Sequence, residues 1–317
     1  MKYCFGIDIG GTTVKIGMFS ETGELLVRWE IPTRKGADPV LLLEDIKTSL
    51  NQCMAEHKID VENTLGIGMT APGPVTADGI LHNAVNIGWG AVKLAELAED
   101  IIGISPVRIG NDARVAALGE AVYGAGKNAK SMLMLTLGTG VGGGVVLNGK
   151  ILMGSSGVAG EIGHMTIDPY ETETCSCGKK GCLEQYASAT GMVRVAEKFL
   201  KERKEESVLR QLKQLTAKDL WSAAKNGDAL ANEITDVVCD RLGSAIANAI
   251  YLVDTEMIVI GGGVSAAGDL LLKKVETSYQ EKVFAHSRNK RFVLAELGND
   301  AGICGAAALI LKDTNKA

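Results

Sequence analysis

Residues 131–152 read S-M-L-M-L-T-L-G-T-G-V-G-G-G-V-V-L-N-G-K-I-L. An apolar run leads into the tip Gly138-Thr139-Gly140, a second apolar run follows, and Asn148-Gly149 is typical of a two-residue hairpin turn. The pattern predicts an antiparallel meander of three strands. A dinucleotide-binding glycine loop fits poorly, because that motif opens a helix, whereas Val145-Val146-Leu147 before an Asn-Gly turn indicates a strand.

The same plan occurs near the beginning of the chain, roughly one domain length earlier. Residues 3–9 (Y-C-F-G-I-D-I) predict a buried strand, Gly10-Gly11-Thr12-Thr13 forms a tip, and V-K-I-G-M-F predicts the next strand before Leu25–Ile31. Such tips offer backbone N–H groups and hydroxyls to an anion. Asp8, just before the first tip, could face a phosphate-bound Mg²⁺. Two such tips therefore predict a nucleotide site more strongly than either one alone.

Residues 161–184 read E-I-G-H-M-T-I-D-P-Y-E-T-E-T-C-S-C-G-K-K-G-C-L-E. Four potential metal ligands fall in this segment: His164, Cys175, Cys177 and Cys182. Three thiolates and one imidazole complete a tetrahedral shell with no open position, which is typical of a structural Zn²⁺. Chance thiols in a loop are the alternative, but Gly178 and Gly181 stand at turn positions between the last ligands. Glu161 and Glu184 bracket the ligands, so a bound zinc would hold both acids in one polar surface.

Three further stretches have polar or glycine residues where predicted strands end. Leu65–Met69 leads into the stiff turn around Gly73, and the strand 107–110 delivers Asn111-Asp112 at the start of a helix. Asp112 could be only an N-cap there. The strand Met257–Ile260 ends in Gly261-Gly262-Gly263, which permits close approach of a ring or a phosphate.

Composition excludes several classes of protein. With 317 residues, 46% hydrophobic and 22% charged, the chain has the material for two globular domains. Its net charge is 33 − 38 = −5, which argues against non-specific binding to nucleic acid or to a membrane surface. No apolar run approaches the ~20 residues of a membrane helix. The cysteines outside the predicted zinc site are scattered, which favours a reducing cytoplasm.

In combination, these motifs resemble the ROK family of sugar kinases and sugar-responsive repressors, and they follow the order of that family along nearly the whole chain. The run C-S-C-G-K-K-G-C-L-E-Q-Y-A-S-A-T-G is most similar to the members that phosphorylate glucose. The resemblance implies an α/β, actin-like (hexokinase/Hsp70-type) fold with two domains and a cleft between them. Residues 1–112 and 302–317 would form the smaller domain, closed by the C-terminal helix, and 113–301 the larger, zinc-binding domain.

The resemblance also implies a role for each motif residue. Asp112 would be the general base that accepts the proton of the primary hydroxyl of a hexose, glucose first, as that hydroxyl attacks ATP. The sugar would contact Gly73, Asn86, Asn111, Asp112, Glu161, His164 and Glu184. ATP with its Mg²⁺ would contact Asp8, Gly10, Gly11, Thr12, Thr13, Lys15, Gly138, Thr139, Gly140, Gly262 and Gly263. A homodimer is expected, and the apolar helix predicted over 229–252 could line an interdomain or a subunit face.

Three alternatives stay open at this point. The same chemistry could act on N-acetylmannosamine or fructose, since the sugar-reading residues serve several hexoses. A sugar-sensing repressor would need a helix-turn-helix before the first strand, but Asp8 is only eight residues from the start and the chain is acidic. A zinc-stabilised sugar binder without catalysis is disfavoured, because it has no use for Asp112 or for two phosphate tips.

Overall fold

The computed structural model describes residues 1–34, 36, 38–82, 84 and 87–314. The chain forms two compact units. The first unit comprises Met1–Lys127, Gly149–Ala159 and Asn299–Ala317, and the second comprises Asn128–Asn148 and Gly160–Gly298.

The strands and helices are numbered in chain order. The strands are β1 (Tyr3–Ile9), β2 (Thr13–Ser20), β3 (Leu25–Pro32), β4 (Thr64–Ala71), β5 (Ile80–Leu81), β6 (Val92–Lys93), β7 (Val107–Asn111), β8 (Ser131–Leu137), β9 (Val141–Leu147), β10 (Lys150–Ile151), β11 (Met257–Gly261) and β12 (Arg291–Leu294). The α-helices are α1 (Pro39–His57), α2 (Leu94–Ile102), α3 (Asp112–Tyr123), α4 (Glu184–Ala187), α5 (Ala189–Glu202), α6 (Ala217–Lys225), α7 (Ala229–Val253), α8 (Asp269–Lys282) and α9 (Ala301–Thr314).

The sheet of the first unit has the order β3-β2-β1-β4-β7. The meander β1–β3 is antiparallel, and β4 and β7 run parallel to β1. The C-terminal helix α9 lies very close to this sheet, because a Cβ at Gly68 of β4 would stand 1.7 Å from the Ala306 carbonyl oxygen. Glycine in the strand therefore permits the contact, and the last helix of the chain completes the first unit.

Helix α3 belongs to the first unit for the same reason. A Cβ at Gly305 of α9 would lie 1.8 Å from the carbonyl oxygen of Val115 in α3, so the two helices touch backbone to backbone. The compact unit consequently runs through Lys127 and also includes Gly149–Ala159, whereas the sequence places the division after Asp112. The predicted limits of the folding domains stay a prediction.

The sheet of the second unit repeats this arrangement. Within the unit the order is β9-β8-β11-β12, with β8 and β9 antiparallel and β8, β11 and β12 parallel. Apolar residues of α5 to α8 pack with those of the strands in one core, in which α7 is the longest helix at 25 residues. None of the helices in the described ranges is long and apolar enough to cross a membrane.

Most predicted elements are present, and the differences have local causes. The sequence predicts a helix over Val92–Ile101, and that helix begins two residues later as α2, after the short strand β6. Helix-like sequence begins at Ala267, but α8 begins at Asp269, because Gly268 has a φ of 69° and ends a preceding 3-10 turn. The apolar run Phe292–Leu297 predicts a final strand, and β12 stops at Leu294, since a short 3-10 helix follows at Gly298–Asp300.

Candidate active site

The Asp8 carboxylate lies beside the first glycine tip and is held from two directions. Asp8 pairs in register with Thr70 on the neighbouring parallel strand β4, and the Thr70 hydroxyl donates a hydrogen bond to Asp8 Oδ1 at 2.5 Å. A Cβ at Gly302, the second residue of α9, would lie 2.6 Å from Asp8 Cγ. The carboxylate therefore sits at the N-terminal turn of α9, where the helix dipole favours a negative charge.

The first tip is a closed turn whose outer residues face solvent. The Gly10 N–H donates to the Thr13 carbonyl at 3.1 Å, and the Thr33 hydroxyl donates to the Gly10 carbonyl at 2.7 Å. Gly11 is half-buried and Thr12 is exposed. Lys15 pairs across the strands with Asp8, and its ammonium donates to the Asn299 carbonyl at 3.3 Å.

Asn111 and Asp112 stand where β7 meets α3. The N-cap is Asn111, whose Oδ1 accepts from the Arg114 N–H at 3.2 Å, and Asp112 is the first helical residue. Asn111 Nδ2 donates to the Gly73 carbonyl at 3.0 Å and to Asp112 Oδ1 at 2.9 Å. Asp112 Oδ1 also accepts from the Ala113 N–H at 2.8 Å. One carboxylate oxygen is thus fixed on an exposed side chain at the end of a rigid strand.

The second tip is held by the residues that follow the cysteine-rich segment. The Gly138 N–H donates to the Gly140 carbonyl at 3.0 Å, which closes the turn. The Ala189 N–H donates to the Gly138 carbonyl at 2.8 Å, and the Thr190 hydroxyl donates to the Thr139 carbonyl at 2.9 Å. The start of α5 therefore fixes the position of this tip.

Glu184 joins the same tip to the cysteine-rich segment. Its Oε2 accepts from the Val141 N–H at 3.0 Å, and its Oε1 accepts from the Ser176 hydroxyl at 2.9 Å. A Cβ at Gly140 would come within 2.5 Å of Glu184 Oε2, so this approach requires glycine. The sequence did not indicate this linking role, and the predicted sugar contact of Glu184 stays a prediction.

The four predicted metal ligands converge. One donor atom from each of His164, Cys175, Cys177 and Cys182 lies within 4.8 Å of all the others. Cys177 Sγ is 3.6 Å from Cys182 Sγ, and Cys175 Sγ is 4.0 Å from His164 Nδ1. The edge of a tetrahedron with metal–sulfur bonds of about 2.3 Å is about 3.8 Å, so the cluster has the size of a zinc shell. The residues fit the ion.

The pKa values of Cys177 and Cys182, the two closest thiols of the cluster, shift in opposite directions. Burial acts to raise the pKa of the Cys177 thiol, but the Lys179 backbone N–H and the neighbouring thiols outweigh burial and lower it. Burial raises the pKa of the Cys182 thiol to about 12. The Cys177 thiol is therefore the easier of the two to ionise, and a bound metal ion would supply the positive charge that a Cys182 thiolate requires.

A network of polar side chains holds the loop ahead of the cysteines. The Tyr186 hydroxyl donates to Asp168 Oδ2 at 3.0 Å and to Glu171 Oε2 at 2.7 Å, and Arg194 bonds Glu171 at 2.8 Å. Burial acts to raise the pKa of Glu171, but bonds from the Glu173 N–H, Arg194 and Tyr186 outweigh it and lower the pKa to about 2. The Arg194 guanidinium also lies 5.1 Å from the centre of the Tyr186 ring.

A cavity of about 620 Å³ lies in the second unit beside its tip. Gly138 and Thr139 line one side, and Gly263 lines another. Gly262 has a φ of 83°, and a Cβ there would lie 2.5 Å from the Leu137 carbonyl oxygen, so the predicted glycine corner does bring backbone close to the end of β8. The cavity is also lined by residues that sequence analysis did not identify: Ala189, Thr216, Ala217, Lys218, Trp221, Ser222, Lys225, Val264, Ala266 and Ala267.

The remaining residues predicted to contact the sugar include Glu161, His164 and Asn86. Glu161 is half-buried and precedes the short 3-10 helix Ile162–His164, and a Cβ at Gly163 would stand 2.0 Å from the Val141 carbonyl oxygen. The helix that carries His164 therefore packs against the start of β9. Asn86 lies outside the described residues.

The repeated sheet order and the two glycine–threonine tips define the class of protein. Both the sheets and the helices agree with the actin-like sugar-kinase fold, and a ROK hexokinase from Thermus thermophilus superposes with a TM-score of 0.85 at 28% identity, over 99% of this chain and 100% of that one. The predicted α/β fold of this type is confirmed.

The family follows from the sequence comparison. The ROK family model matches residues 4–313, and the chain belongs to this family. A glucokinase from Halalkalibacterium halodurans is 43% identical over 319 residues, which cover 99% of this chain and 96% of the relative. The structure of a ROK family glucokinase from Streptomyces griseus in complex with glucose and AMPPNP has a TM-score of 0.76 at 31% identity, over 97% of this chain and 98% of that one.

Proposed function

We propose that this protein is a glucokinase, which transfers the γ-phosphoryl group of MgATP to the primary hydroxyl of glucose. The similarity to glucokinases over the full chain supports the reaction. The single structural observation that carries the proposal is the Asn111–Asp112 pair, where one carboxylate oxygen is anchored by two hydrogen bonds on an exposed side chain.

Asp112 is the general base in this mechanism. Phosphoryl transfer has a loose transition state, so the protein contributes mainly by in-line positioning and by neutralising charge. The proton of the attacking hydroxyl leaves late, to a carboxylate within hydrogen-bond reach. The bonds from Asn111 and from the Ala113 N–H hold the Asp112 side chain for that role. Asn111 in turn donates a hydrogen bond to the Gly73 carbonyl, so the turn after β4 lies beside the Asn111–Asp112 pair.

The glycine tips bind the phosphates of the nucleotide. The Gly10 and Gly138 N–H groups close their own turns, so we assign the remaining backbone N–H groups of Gly11–Thr13 and of Thr139-Gly140 as donors to phosphate oxygens. Beside the first tip, Asp8 faces the Mg²⁺ ion and Lys15 faces the phosphates. The cavity between the second tip and Gly263 accommodates adenosine, because it is concave, it is lined by small residues, and Lys218 and Lys225 border it.

The cysteine cluster holds a structural zinc. His164, Cys175, Cys177 and Cys182 provide all four ligands, and the zinc supplies no chemistry to the reaction because the shell is complete. The residues of the cluster instead position Glu161, His164 and Glu184, which we assign to the hydroxyls of the sugar. Paired acids discriminate between sugars, because a missing or inverted hydroxyl leaves a buried polar group without its bond.

A coupled ADP-release assay tests the proposal. We expect kcat/KM with MgATP to be highest for glucose among glucose, N-acetylmannosamine, fructose, mannose and allose. If N-acetylmannosamine or fructose is preferred, the proposed mechanism stands and only the assignment of glucose as the substrate is wrong. Inactivity on every sugar, by protein that contains zinc and binds ATP, would refute the enzyme and favour a sugar sensor.

The assembly and its location are part of the proposal. We propose a homodimer in a reducing cytoplasm, and the net charge of −5 argues against nucleic acid or a membrane surface as a partner. None of the seven cysteines, all of which lie in the described residues, forms a disulfide. Sedimentation velocity tests the dimer, and a monomer at micromolar concentration would refute it.

A further inference from the structure

Thr70 is a fully buried hydroxyl at the end of a central strand. Its exposed fraction is 0%, and it lies in the apolar run G-I-G-M-T-A of β4. A buried hydroxyl is unfavourable unless it makes a hydrogen bond. Its partner here is Asp8 Oδ1 at 2.5 Å, within the range of charge-assisted bonds. An ionised carboxylate can only accept, so the Thr70 proton points at Asp8.

The backbone places the two side chains together. Because β1 and β4 are parallel and Asp8 is in register with Thr70, both side chains extend from the same face of the sheet. Threonine is branched at Cβ and has few χ1 rotamers, so its hydroxyl is a stiff donor. On the other side, a Cβ at Gly302 would lie 2.7 Å from Asp8 Oδ2. The orientation of the carboxylate is therefore set by Thr70 and by the first turn of α9.

We infer that Thr70 is a positioning residue for the phosphate side of the reaction: it holds the Asp8 carboxylate in the orientation that meets the cation of MgATP. This inference rests on the proposed function, in which Asp8 serves that cation. A small displacement of a ligand-facing group can reduce a rate by up to about 100-fold. The effect of Thr70 should consequently appear in the dependence on nucleotide and Mg²⁺, and not in the affinity for glucose.

The test compares Thr70→Val, which keeps the shape of the side chain and removes the donor, with Thr70→Ser, which keeps the donor. Thr64→Val is the matched control, because Thr64 begins the same strand and its hydroxyl donates to the Val61 carbonyl at 2.6 Å, away from Asp8. We expect Thr70→Val to raise the KM for MgATP and the half-saturating free Mg²⁺ about tenfold or more. The KM for glucose should stay within about twofold, and both other variants should behave like the wild type.

A double-variant cycle separates positioning from a structural effect. If Thr70 acts through Asp8, Thr70→Val should add little to the effect of Asp8→Asn on MgATP affinity. Independent effects of the two substitutions would overturn the inference, as would a Thr70→Val variant with unchanged Mg²⁺ dependence or with an equal rise in both KM values. The thermal unfolding midpoint of each variant shows whether it folds. If Thr70→Val does not fold, the Mg²⁺ dependence of Thr70→Ser decides the inference, because a change from the wild type would mean that the hydroxyl alone does not set the position of Asp8.

The outcome is separable from that of the proposed function. Calorimetric titration with AMPPNP at several Mg²⁺ concentrations measures the effect of Thr70 without turnover. If the wild type phosphorylates none of the sugars, the proposed function fails, while a Mg²⁺-dependent loss of AMPPNP affinity in Thr70→Val would still support the positioning role. If the wild type phosphorylates glucose and Thr70→Val binds AMPPNP normally, only the role of Thr70 is refuted.

Discussion

Replacement of Asp112 by asparagine tests its proposed function as a general base. In the wild type, Asp112 Oδ1 accepts from Asn111 Nδ2 at 2.9 Å and from the Ala113 N–H at 2.8 Å. The amide oxygen of asparagine can accept both bonds, so the side chain should keep its place while its ability to take a proton is lost. Loss of the negative charge at the first residue of α3 reduces stability by only about 0.3–1 kcal/mol.

The expected loss of turnover is much larger than that change in stability. General base catalysis contributes about 10²–10⁴-fold, and a 100-fold decrease in kcat corresponds to about 2.7 kcal/mol of transition-state stabilisation. Glucose affinity should change by no more than about threefold, because an amide can still bond to a hydroxyl. The ADP-release assay measures kcat, calorimetric titration measures glucose affinity, and thermal unfolding confirms that Asp112→Asn is folded.

Asp269→Asn is the matched control for Asp112→Asn. Asp269 is also exposed and is the first residue of a helix, α8, so the substitution removes the same kind of helix-terminal charge. We expect an equally small loss of stability and normal turnover. Retention of more than about a tenth of the wild-type kcat by Asp112→Asn would refute the assignment of the base. An equal loss of glucose affinity and of kcat would instead indicate a binding role.

Two further predictions concern the second unit. Cys177→Ser should lower the zinc content measured by elemental analysis and weaken AMPPNP binding, because Ser176 and Glu184 link the cluster to the second tip; unchanged AMPPNP affinity in zinc-free protein would contradict that link. Glu171→Gln should reduce the free energy of unfolding at pH 7 by on the order of 1–3 kcal/mol. The pKa of Glu171 is lowered in the fold, from its ordinary 4.5 to about 2, so this stabilisation is complete well above pH 4.5 and is lost as the pH falls through about 2. The free energies of unfolding of the wild type and of Glu171→Gln, measured with urea, should become equal as the pH approaches 2. A difference between them that stayed constant from pH 7 to pH 2 would show that ionisation of Glu171 is not its cause.

Local patterns in the sequence predict the tips and the metal cluster. Alternating apolar runs around Gly10–Thr13 and Gly138–Gly140 identify both hairpins, because the strand period and the turn residues are properties of a short segment. The four predicted metal ligands lie within nineteen positions, His164 to Cys182, so their spacing is readable without knowing the fold. The structure agrees with these predictions where it describes the residues.

Contacts between distant segments could not be predicted in this way. The bond from Thr70 to Asp8 joins residues 62 positions apart, and it depends on the register of β4 against β1. The bond from the Val141 N–H to Glu184 spans 43 positions and depends on how the cysteine-rich segment packs. A threonine in an apolar run and a glutamate after a cysteine have many possible partners, and only the tertiary fold selects one.

The two units share one sheet order but carry different residues at the ends of equivalent strands. In the orders β2-β1-β4-β7 and β9-β8-β11-β12, strand β4 corresponds to β11 and β7 to β12. A glycine with positive φ follows both β4 and β11, namely Gly73 at 126° and Gly262 at 83°. In the first unit, the Gly73 carbonyl accepts a hydrogen bond from Asn111, the last residue of β7. Asn111 also donates to the carboxylate of Asp112, the residue that follows it.

At the equivalent strand end of the second unit, β12 ends at Leu294 and Ala295-Glu296 follow in place of Asn111-Asp112. Beside its glycine corner there is a cavity whose lining combines small residues with Lys218, Trp221 and Lys225. Duplication therefore accounts for the two glycine–threonine tips, and in the proposed function the residues just after the third and fourth strands of each copy contact different ligands. Substitutions at Asn111 and Asp112 should alter sugar use, and those around Gly263 should alter nucleotide use. A Gly263→Val variant that changed the ranking of sugars while leaving AMPPNP affinity unchanged would contradict this division.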